Sequence, residues 1–229
     1  CPHVMVGGQA ESMNVEEFVT RLPKIELHSH LLGSMRPATC GEFTARRGVK
    51  LPMDAITLFQ HINSRPKPDP RYDHTRIPIP APDSDKSPGP AYSLLDVARW
   101  LAPCVVDEGD FARVVYEAME DAVRKSNVRY CEMFFEPTLY FEYGVRYRTI
   151  VDGLVAGLRD AQKAFGIVGR MIAGINRAQP QCAAIELLEE MLANRRDEVI
   201  GIGLEDYELA GPPEKFVDAY RMAKKAGLH

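Results

Sequence analysis

Two histidines separated by one residue are the clearest indication of chemistry in this sequence. His28 and His30 lie in the segment KIELHSH (residues 24–30), in which polar and apolar side chains alternate as in a β-strand. Alternate side chains of a strand point to the same side, which places Lys24 and Glu26 deeper in the row of the two imidazoles. Paired neutral imidazoles are good zinc ligands, although two histidines on a half-exposed surface strand give the same pattern.

Other common catalytic patterns are missing from the sequence. Ser29 and Ser34 lie near the histidines, but neither belongs to the G-x-S-x-G turn of a serine hydrolase, and Ser29 is predicted to point away from His28. The segment Gly201–Gly203 lacks the third glycine of a dinucleotide fingerprint, and no G-x-x-x-x-G-K-[ST] phosphate loop occurs. The sequence therefore gives no support to an NAD or ATP site.

The remainder of the chain alternates between helical and strand-like patterns. A capping box at Asn14 and Glu17 predicts a short helix before the first strand. Further strand-like runs cover residues 128–135, 168–175 and 199–204, and apolar stripes at helical spacing cover residues 111–123, 150–165, 185–192 and 213–227. This order predicts an α/β protein with a parallel sheet.

Composition narrows the class of protein. The 229 residues are 45% hydrophobic and 26% charged, as in folded globular domains. A net charge of -4 argues against a nucleic-acid-binding surface, and no stretch predicts a membrane span or a signal peptide, so we expect a cytoplasmic protein. The five cysteines are widely spaced and odd in number, which favours reduced thiols over a disulfide framework or a thiolate zinc site.

Two segments fall outside this regular pattern. Residues 1–13 carry no periodicity and are predicted to be a flexible leader. Composition changes from Leu51 to Tyr92, where prolines crowd together and exclude helices and strands. We therefore predict a proline-rich insertion over about 61–92, running across the surface as a possible lid.

Several of these segments resemble one known family. Residues Leu22–Ser34 closely resemble the first-strand signature of the adenosine deaminase family within the amidohydrolase superfamily, PKxELHxHLxG followed by a small residue. Val128–Pro137 is similar to the second strand of that family, and Gly201–Leu204 together with Glu208 is similar to its fourth. The resemblance extends from the first strand to the end of the chain.

The resemblance implies a (β/α)8 TIM barrel of the metal-dependent hydrolase type, with only the first four βα units present. Residues 14–229 would then form the N-terminal half of a deaminase barrel. It also implies that His28 and His30 ligate one catalytic Zn²⁺, which activates water for addition to C6 of a 6-aminopurine and loss of ammonia. The family's third histidine ligand and acidic proton donor come from later strands, so catalytic residues are expected beyond His229.

The same resemblance indicates residues that contact the substrate. Leu32 stands where the family has an acidic residue that meets the ribose 5'-hydroxyl, so one hydrogen bond to the sugar is missing. Gly203 opens the segment that corresponds to the family motif DLAGDE, and Asp206 replaces the glycine whose amide contacts the purine. Asp206 and Glu208 are candidates for substrate contact or for solvated carboxylates.

Two further candidates come from other parts of the chain. Trp100, with Leu94, Leu95 and Leu101, lies where the family has an apolar lid over the purine, but these residues also suit the core of a helix. Glu136 follows the second strand and is either a substrate contact or a solvated loop carboxylate. The segment Phe134–Pro137 is more similar to the adenine deaminase branch than to the adenosine branch.

These features predict hydrolytic deamination of a 6-aminopurine that depends on zinc. Adenosine is the first expected substrate, and adenine or a modified aminopurine the second. A different class of function stays open: a non-catalytic half-barrel that binds a purine, or that pairs with a C-terminal half or with a second copy. Two open sheet edges would make such a half-barrel a poor monomer.

Overall fold

The computed structural model describes residues 14–63, 94–206, 208 and 211–229. The strands are β1 (Lys24–His30), β2 (Val128–Phe135), β3 (Val168–Asn176) and β4 (Val199–Glu205). The helices are α1 (Val15–Arg21), α2 (Pro37–Arg47), α3 (Ala55–Asn63), α4 (Leu94–Leu101), α5 (Glu108–Ser126), α6 (Thr138–Phe141), α7 (Tyr147–Phe165), α8 (Gln181–Ala193) and α9 (Val217–Lys225). Among the described helices, none is both long and apolar enough to cross a membrane.

The four strands form one parallel sheet in the order β1-β2-β3-β4. Every crossover contains at least one helix, and this order is that of the wall of a (β/α)8 barrel, which confirms the predicted fold class. Side chains alternate along β2: Cys131, Met133 and Phe135 are buried, whereas Glu132 and Phe134 are only partly buried. The four cysteines in the described part of the chain are free thiols, and three of them are buried.

The first strand departs from simple alternation. Glu26 pairs with Cys131 and Ser29 with Met133, so two residues of β1 lie opposite one residue of β2. Such a bulge reverses which residues share a face. The prediction that Glu26 lies in the row of the histidines is therefore wrong: Glu26 and Ser29 line a groove beside α5, while the histidines line a separate cavity.

The two longest helices pack closely because one of them carries glycines at helical spacing. A Cβ on Gly153 would lie 2.4 Å from the carbonyl oxygen of Glu108, and a Cβ on Gly157 would lie 2.3 Å from that of Ala112. Any side chain at these positions would push α7 away from α5. The contact buries Phe111, Val114, Val115, Ile150 and Leu154 completely and anchors both crossover helices on the sheet.

The region before α4 is only partly as predicted. A helix, α3, occupies part of the segment from Leu51 onward that was predicted to exclude helices, and residues 61–63 belong to it rather than to the proline-rich insertion. The crowded prolines begin only at Pro66, so they do not oppose α3. The predicted leader, 1–13, and residues 64–92 of the predicted insertion lie outside the described residues.

The last residue of the chain pairs with β4. The amide of His229 donates to the carbonyl oxygen of Ile200 at 3.0 Å, and the amide of Ile202 donates to the carbonyl oxygen of His229 at 2.9 Å. This is the hydrogen-bond pattern of a parallel ladder. Gly201 lies next to this pair of hydrogen bonds. A Cβ on Gly201 would lie 2.6 Å from the carbonyl oxygen of His229, so the close approach of the two segments requires a glycine here.

Candidate functional site

A cavity of about 280 Å³ opens at the carboxyl ends of β1, β2 and β4. This is the end at which (β/α) barrels place their chemistry, because side chains from several strands converge there. Residues of the helices α4 and α6 line its side. Its lining consists of His28, His30, Leu31, Leu32, Gly33, Leu95, Ala98, Phe134, Phe135, Glu136, Leu139, Tyr140, Leu204, Glu205 and Asp206.

Both histidines of the H-x-H pair face this cavity and share one aromatic neighbour. Their ring centroids are 5.3 Å apart, and the ring of Phe134 lies 4.7 Å from that of His28 and 5.5 Å from that of His30. Phe134 occupies this place because Gly203 on β4 has no side chain: a Cβ there would lie 2.5 Å from the Cε1 atom of Phe134. The absence of a side chain at Gly203 therefore allows the ring of Phe134 to lie beside both histidines.

The histidine pair suits a metal such as zinc. Burial lowers the pKa of His30, and the proximity of His28 lowers it further, so His30 is neutral near pH 7, the form that binds metals. Two imidazoles provide two of the ligands that a zinc site needs. Within the described part of the chain, no group of three His, Cys, Asp or Glu residues is arranged to hold a metal ion. The histidines therefore fit zinc as part of a ligand set.

Three acidic side chains reach the same cavity: Glu136, Glu205 and Asp206. Burial raises the pKa of the Glu205 carboxyl to about 8, and the charges of Glu136 and Asp206 contribute to the rise. Its Oε1 atom lies 3.5 Å from Nδ1 of His30 and has no hydrogen-bond partner among the described residues. Gly174 on β3 leaves room for this carboxyl, because a Cβ there would lie 2.4 Å from Cδ of Glu205.

Asp206 combines a charged side chain with an unusual backbone. Its φ of 74° lies in the left-handed region, which glycine adopts easily and other residues rarely do. The sequence resemblance places a glycine at this position in the related family, so the chain keeps the turn of a glycine while adding a carboxylate. The side chain is 7% exposed, and Oδ2 lies 3.6 Å from a guanidinium nitrogen of Arg99 on α4.

Glu136 is held by a small hydrogen-bond network. Its Oε1 atom accepts from Nδ2 of Asn176 at 2.7 Å and from the hydroxyl of Thr138 at 3.3 Å. Burial raises the pKa of the Glu136 carboxyl; the bond from Asn176 opposes this, and the charge of Asp206 adds to it. Glu136 is therefore a partly buried group of the cavity rather than a solvated loop carboxylate.

The structure brings three of the five predicted substrate-contact residues into the cavity. Leu32, Glu136 and Asp206 line it, and Leu32 is nearly fully buried. Gly203 lies behind the aromatic ring that borders the cavity instead of lining it. Trp100 is partly buried against the hydrophobic core and is not one of the described lining residues, which is the helix-core arrangement that the sequence left open.

Sequence reasoning missed three residues of the site. Phe134 and Glu205 line the cavity, and Asn176 orients Glu136 from the end of β3. The available signal was positional, because each lies at or next to the end of a predicted strand, where side chains of parallel strands converge. Glu208, the further acidic candidate, is exposed and lies outside the described lining of the cavity.

Comparisons with known proteins show to which family the chain belongs. The sequence model described as adenosine deaminase matches residues 85–229. An adenine deaminase from Vibrio parahaemolyticus is 29% identical over 211 residues, which are 92% of this chain and 55% of that protein. This chain therefore spans about half the length of the curated relatives that it matches.

Two solved structures are also similar. An amidohydrolase from Burkholderia ambifaria with bound zinc superimposes with a TM-score of 0.76 at 32% identity, over 96% of this chain and 55% of that one. An adenine deaminase from Arthrobacter aurescens gives a TM-score of 0.70 at 26% identity, over 90% of this chain and 56% of that one. Since the family model matches well over half of the sequence, the chain belongs to the adenosine deaminase family.

Proposed function

We propose that this chain is the part of a zinc-dependent aminopurine deaminase that carries the first two metal ligands and one side of the substrate cavity. The observation that carries the proposal is the convergence of the His28 and His30 imidazoles with three carboxyl groups in one cavity at the strand ends. The reaction would be hydrolysis of the C6–amine bond of a 6-aminopurine, with release of ammonia.

Zinc would be held by His28 and His30 together with ligands from outside the described residues. When bound, it lowers the pKa of water to about 7 and so supplies a nucleophile at neutral pH. The low pKa of His30 keeps that imidazole available as a ligand. The ring of Phe134 lies against both imidazoles, so the two donors pack on one common surface.

The remaining lining residues suit a flat heterocycle with polar edges. Leu32, Leu95 and Leu204 supply apolar surface for the faces of a purine ring. Glu136 and Asp206 supply carboxylate oxygens that accept hydrogen bonds from N–H groups of the ring or of the exocyclic amine. In a site of this kind, apolar side chains pack against the faces of the ring, and carboxylates form hydrogen bonds with the N–H groups at its edge.

Adenosine, free adenine and a modified aminopurine are the candidate substrates, and we propose that adenine is preferred. The relatives from Vibrio parahaemolyticus and Arthrobacter aurescens are adenine deaminases. In addition, the buried Leu32 offers no hydrogen bond to a ribose hydroxyl. Leu32→Asp should then shift kcat/KM toward the riboside.

The test is ammonia release by the natural protein, supplied with zinc, from adenine, adenosine and AMP. We expect turnover of adenine, and loss of turnover and of bound zinc in His28→Ala and His30→Ala. Ser29→Ala is the matched control, because Ser29 lies between the histidines but bonds to Ser34 on the other face. Purine binding without ammonia release would identify a non-catalytic binding module, and release from adenosine alone would reverse the preferred substrate.

A further inference from the structure

The side-chain amide of Asn176 has only one possible orientation. Its Oδ1 atom accepts from the backbone amide of Ala178 at 2.8 Å. A backbone N–H can only donate, so the oxygen of the Asn176 amide must face Ala178 and its NH₂ group must face away. That NH₂ group donates to Oε1 of Glu136 at 2.7 Å.

This arrangement assigns different roles to the two carboxyl oxygens of Glu136. Oε1 already accepts two hydrogen bonds, from Asn176 and from Thr138. Both hydrogen bonds that the described residues donate to this carboxyl go to Oε1. Oε2 therefore retains its capacity to accept, and Glu136 borders the cavity beside Asp206.

We propose that Asn176 is a positioning residue which holds Glu136 with Oε2 presented to the cavity, as the acceptor for an N–H group of the bound aminopurine. This inference rests on the proposed function, because it requires a purine in the cavity. Asn176 ends β3 and Glu136 follows β2, so two adjacent strands together fix the acceptor. Selectivity would then favour ligands that offer an N–H donor at this point over ligands that offer an acceptor.

The hydrogen bond from Asn176 to Glu136 can be reversed by substituting both residues, so that residue 136 donates and residue 176 accepts. In Glu136→Gln, the NH₂ group of Asn176 still requires an acceptor, so the amide oxygen of the new side chain turns toward Asn176. Its NH₂ group then faces the cavity, where an acceptor is needed. Adding Asn176→Asp reverses this: the new aspartate accepts from both Ala178 and the glutamine, and the glutamine oxygen faces the cavity again.

Asn176→Asp alone separates positioning from a purely structural role. An aspartate keeps the bond from Ala178, and therefore the turn after β3, but it places a second carboxylate next to Oε1 of Glu136. If Asn176 only stabilised the turn, this variant would bind ligand as the wild type does. If it positions Glu136, repulsion between the two carboxylates displaces the acceptor and weakens binding.

The experiment measures the Kd of adenine by calorimetry in the zinc-free natural protein, which does not hydrolyse it, and the KM for adenine in the zinc-loaded protein. Thermal unfolding checks that each variant is folded. Glu136→Gln and Asn176→Asp are each expected to weaken adenine binding by about 10-fold or more, because each leaves a polar group of the site without its hydrogen-bond partner. The double variant is expected to recover most of the loss. Asn176→Ala removes the donor and should also weaken binding.

Two results would overturn the inference while leaving the proposed function intact: wild-type affinity in Asn176→Asp, or a double variant no better than Glu136→Gln. A wild-type protein that binds adenine but releases no ammonia would refute the proposed function alone, since the Kd series still tests the positioning role. A protein that binds no aminopurine would refute both.

Discussion

Adding a single methyl group at Gly203 tests how the fold supports the histidine pair. A Cβ at this position would lie 2.5 Å from Cε1 of Phe134, well inside van der Waals contact. The ring would have to withdraw by about 1 Å to restore an ordinary contact between carbon atoms. It cannot move without disturbing both imidazoles, because His28 and His30 pack against it.

The expected magnitude follows from this geometry. Groups that orient metal ligands typically contribute about 10- to 100-fold to metal affinity, so we expect Gly203→Ala to lower zinc affinity within that range. Overpacking of the β2–β4 contact should also lower the free energy of unfolding by ~1–3 kcal/mol. The effect on zinc arises although residue 203 touches no metal and does not line the cavity.

The assay is competition for zinc with a chromophoric chelator, accompanied by circular dichroism. A second variant, Gly203→Ala with Phe134→Leu, removes the clash by shortening the opposing side chain and should regain part of the free energy of unfolding, whereas zinc affinity should stay low because the supporting ring is lost. Gly41→Ala, whose new methyl group meets no atom within 4 Å, is the control. Wild-type zinc affinity in a folded Gly203→Ala protein would refute the reasoning that Phe134 supports the histidines.

Three further predictions concern stability. Gly157→Ala should lower the free energy of unfolding, measured in urea, by ~1–3 kcal/mol, because the new methyl group pushes α7 away from α5. Gly41→Ala should raise the free energy of unfolding by ~0.5–1 kcal/mol, because the new methyl group on α2 meets no other atom and alanine favours a helix over glycine. The contribution of Glu205 to the free energy of unfolding should fall as pH rises from 4.5 to about 8, since the unfolded chain releases the Glu205 proton first. Glu205→Gln should remove this part of the pH dependence. In thermal unfolding, Asp206→Gly should be more stable than Asp206→Ala by ~1 kcal/mol, because φ is 74°.

Each of these predictions has a result that contradicts it. Equal effects of alanine at Gly157 and Gly41 would mean that the close helix contact does not limit packing. The same pH slope in wild type and Glu205→Gln would mean that Glu205 is not protonated in the folded protein. An Asp206→Ala variant as stable as Asp206→Gly would show that the left-handed backbone at residue 206 costs nothing.

Local patterns in the sequence predicted the main elements because each depends on neighbouring residues. The apolar run of β2 and the helical stripe of α7, which ends at Gly166, follow directly from spacing and capping. The helix α2 was not predicted, although Pro37 in its first turn and Gly48 in the left-handed conformation at its end are ordinary boundary signals. The sequence of α2, PATCGEFTARR, has few large apolar residues, so its helical periodicity is weak.

The candidate site was predictable only in part. The H-x-H spacing placed His28 and His30 on one face, and the structure retains this arrangement. The same alternation placed Glu26 beside them wrongly, because a bulge is set by pairing with β2 and not by β1 itself. The helical spacing of Leu95, Trp100 and Leu101 predicted an apolar face on α4. It could not show that Leu95 lines the cavity and that Trp100 does not.

The sequence by itself determined the order of the four strands and of the long helices between them, the paired imidazoles and the resemblance to a family of metal-dependent deaminases, since all of these depend on residues close together in the chain. Tertiary structure alone decided the environment of those imidazoles. Phe134 reaches them because β4 has a glycine opposite its ring, and Glu205 reaches the cavity because β3 has a glycine beside it. Asn176 bonds to Glu136 across forty positions of sequence. Such contacts join residues that are far apart in the chain, so they depend on how the strands pair in the sheet and not on any single segment.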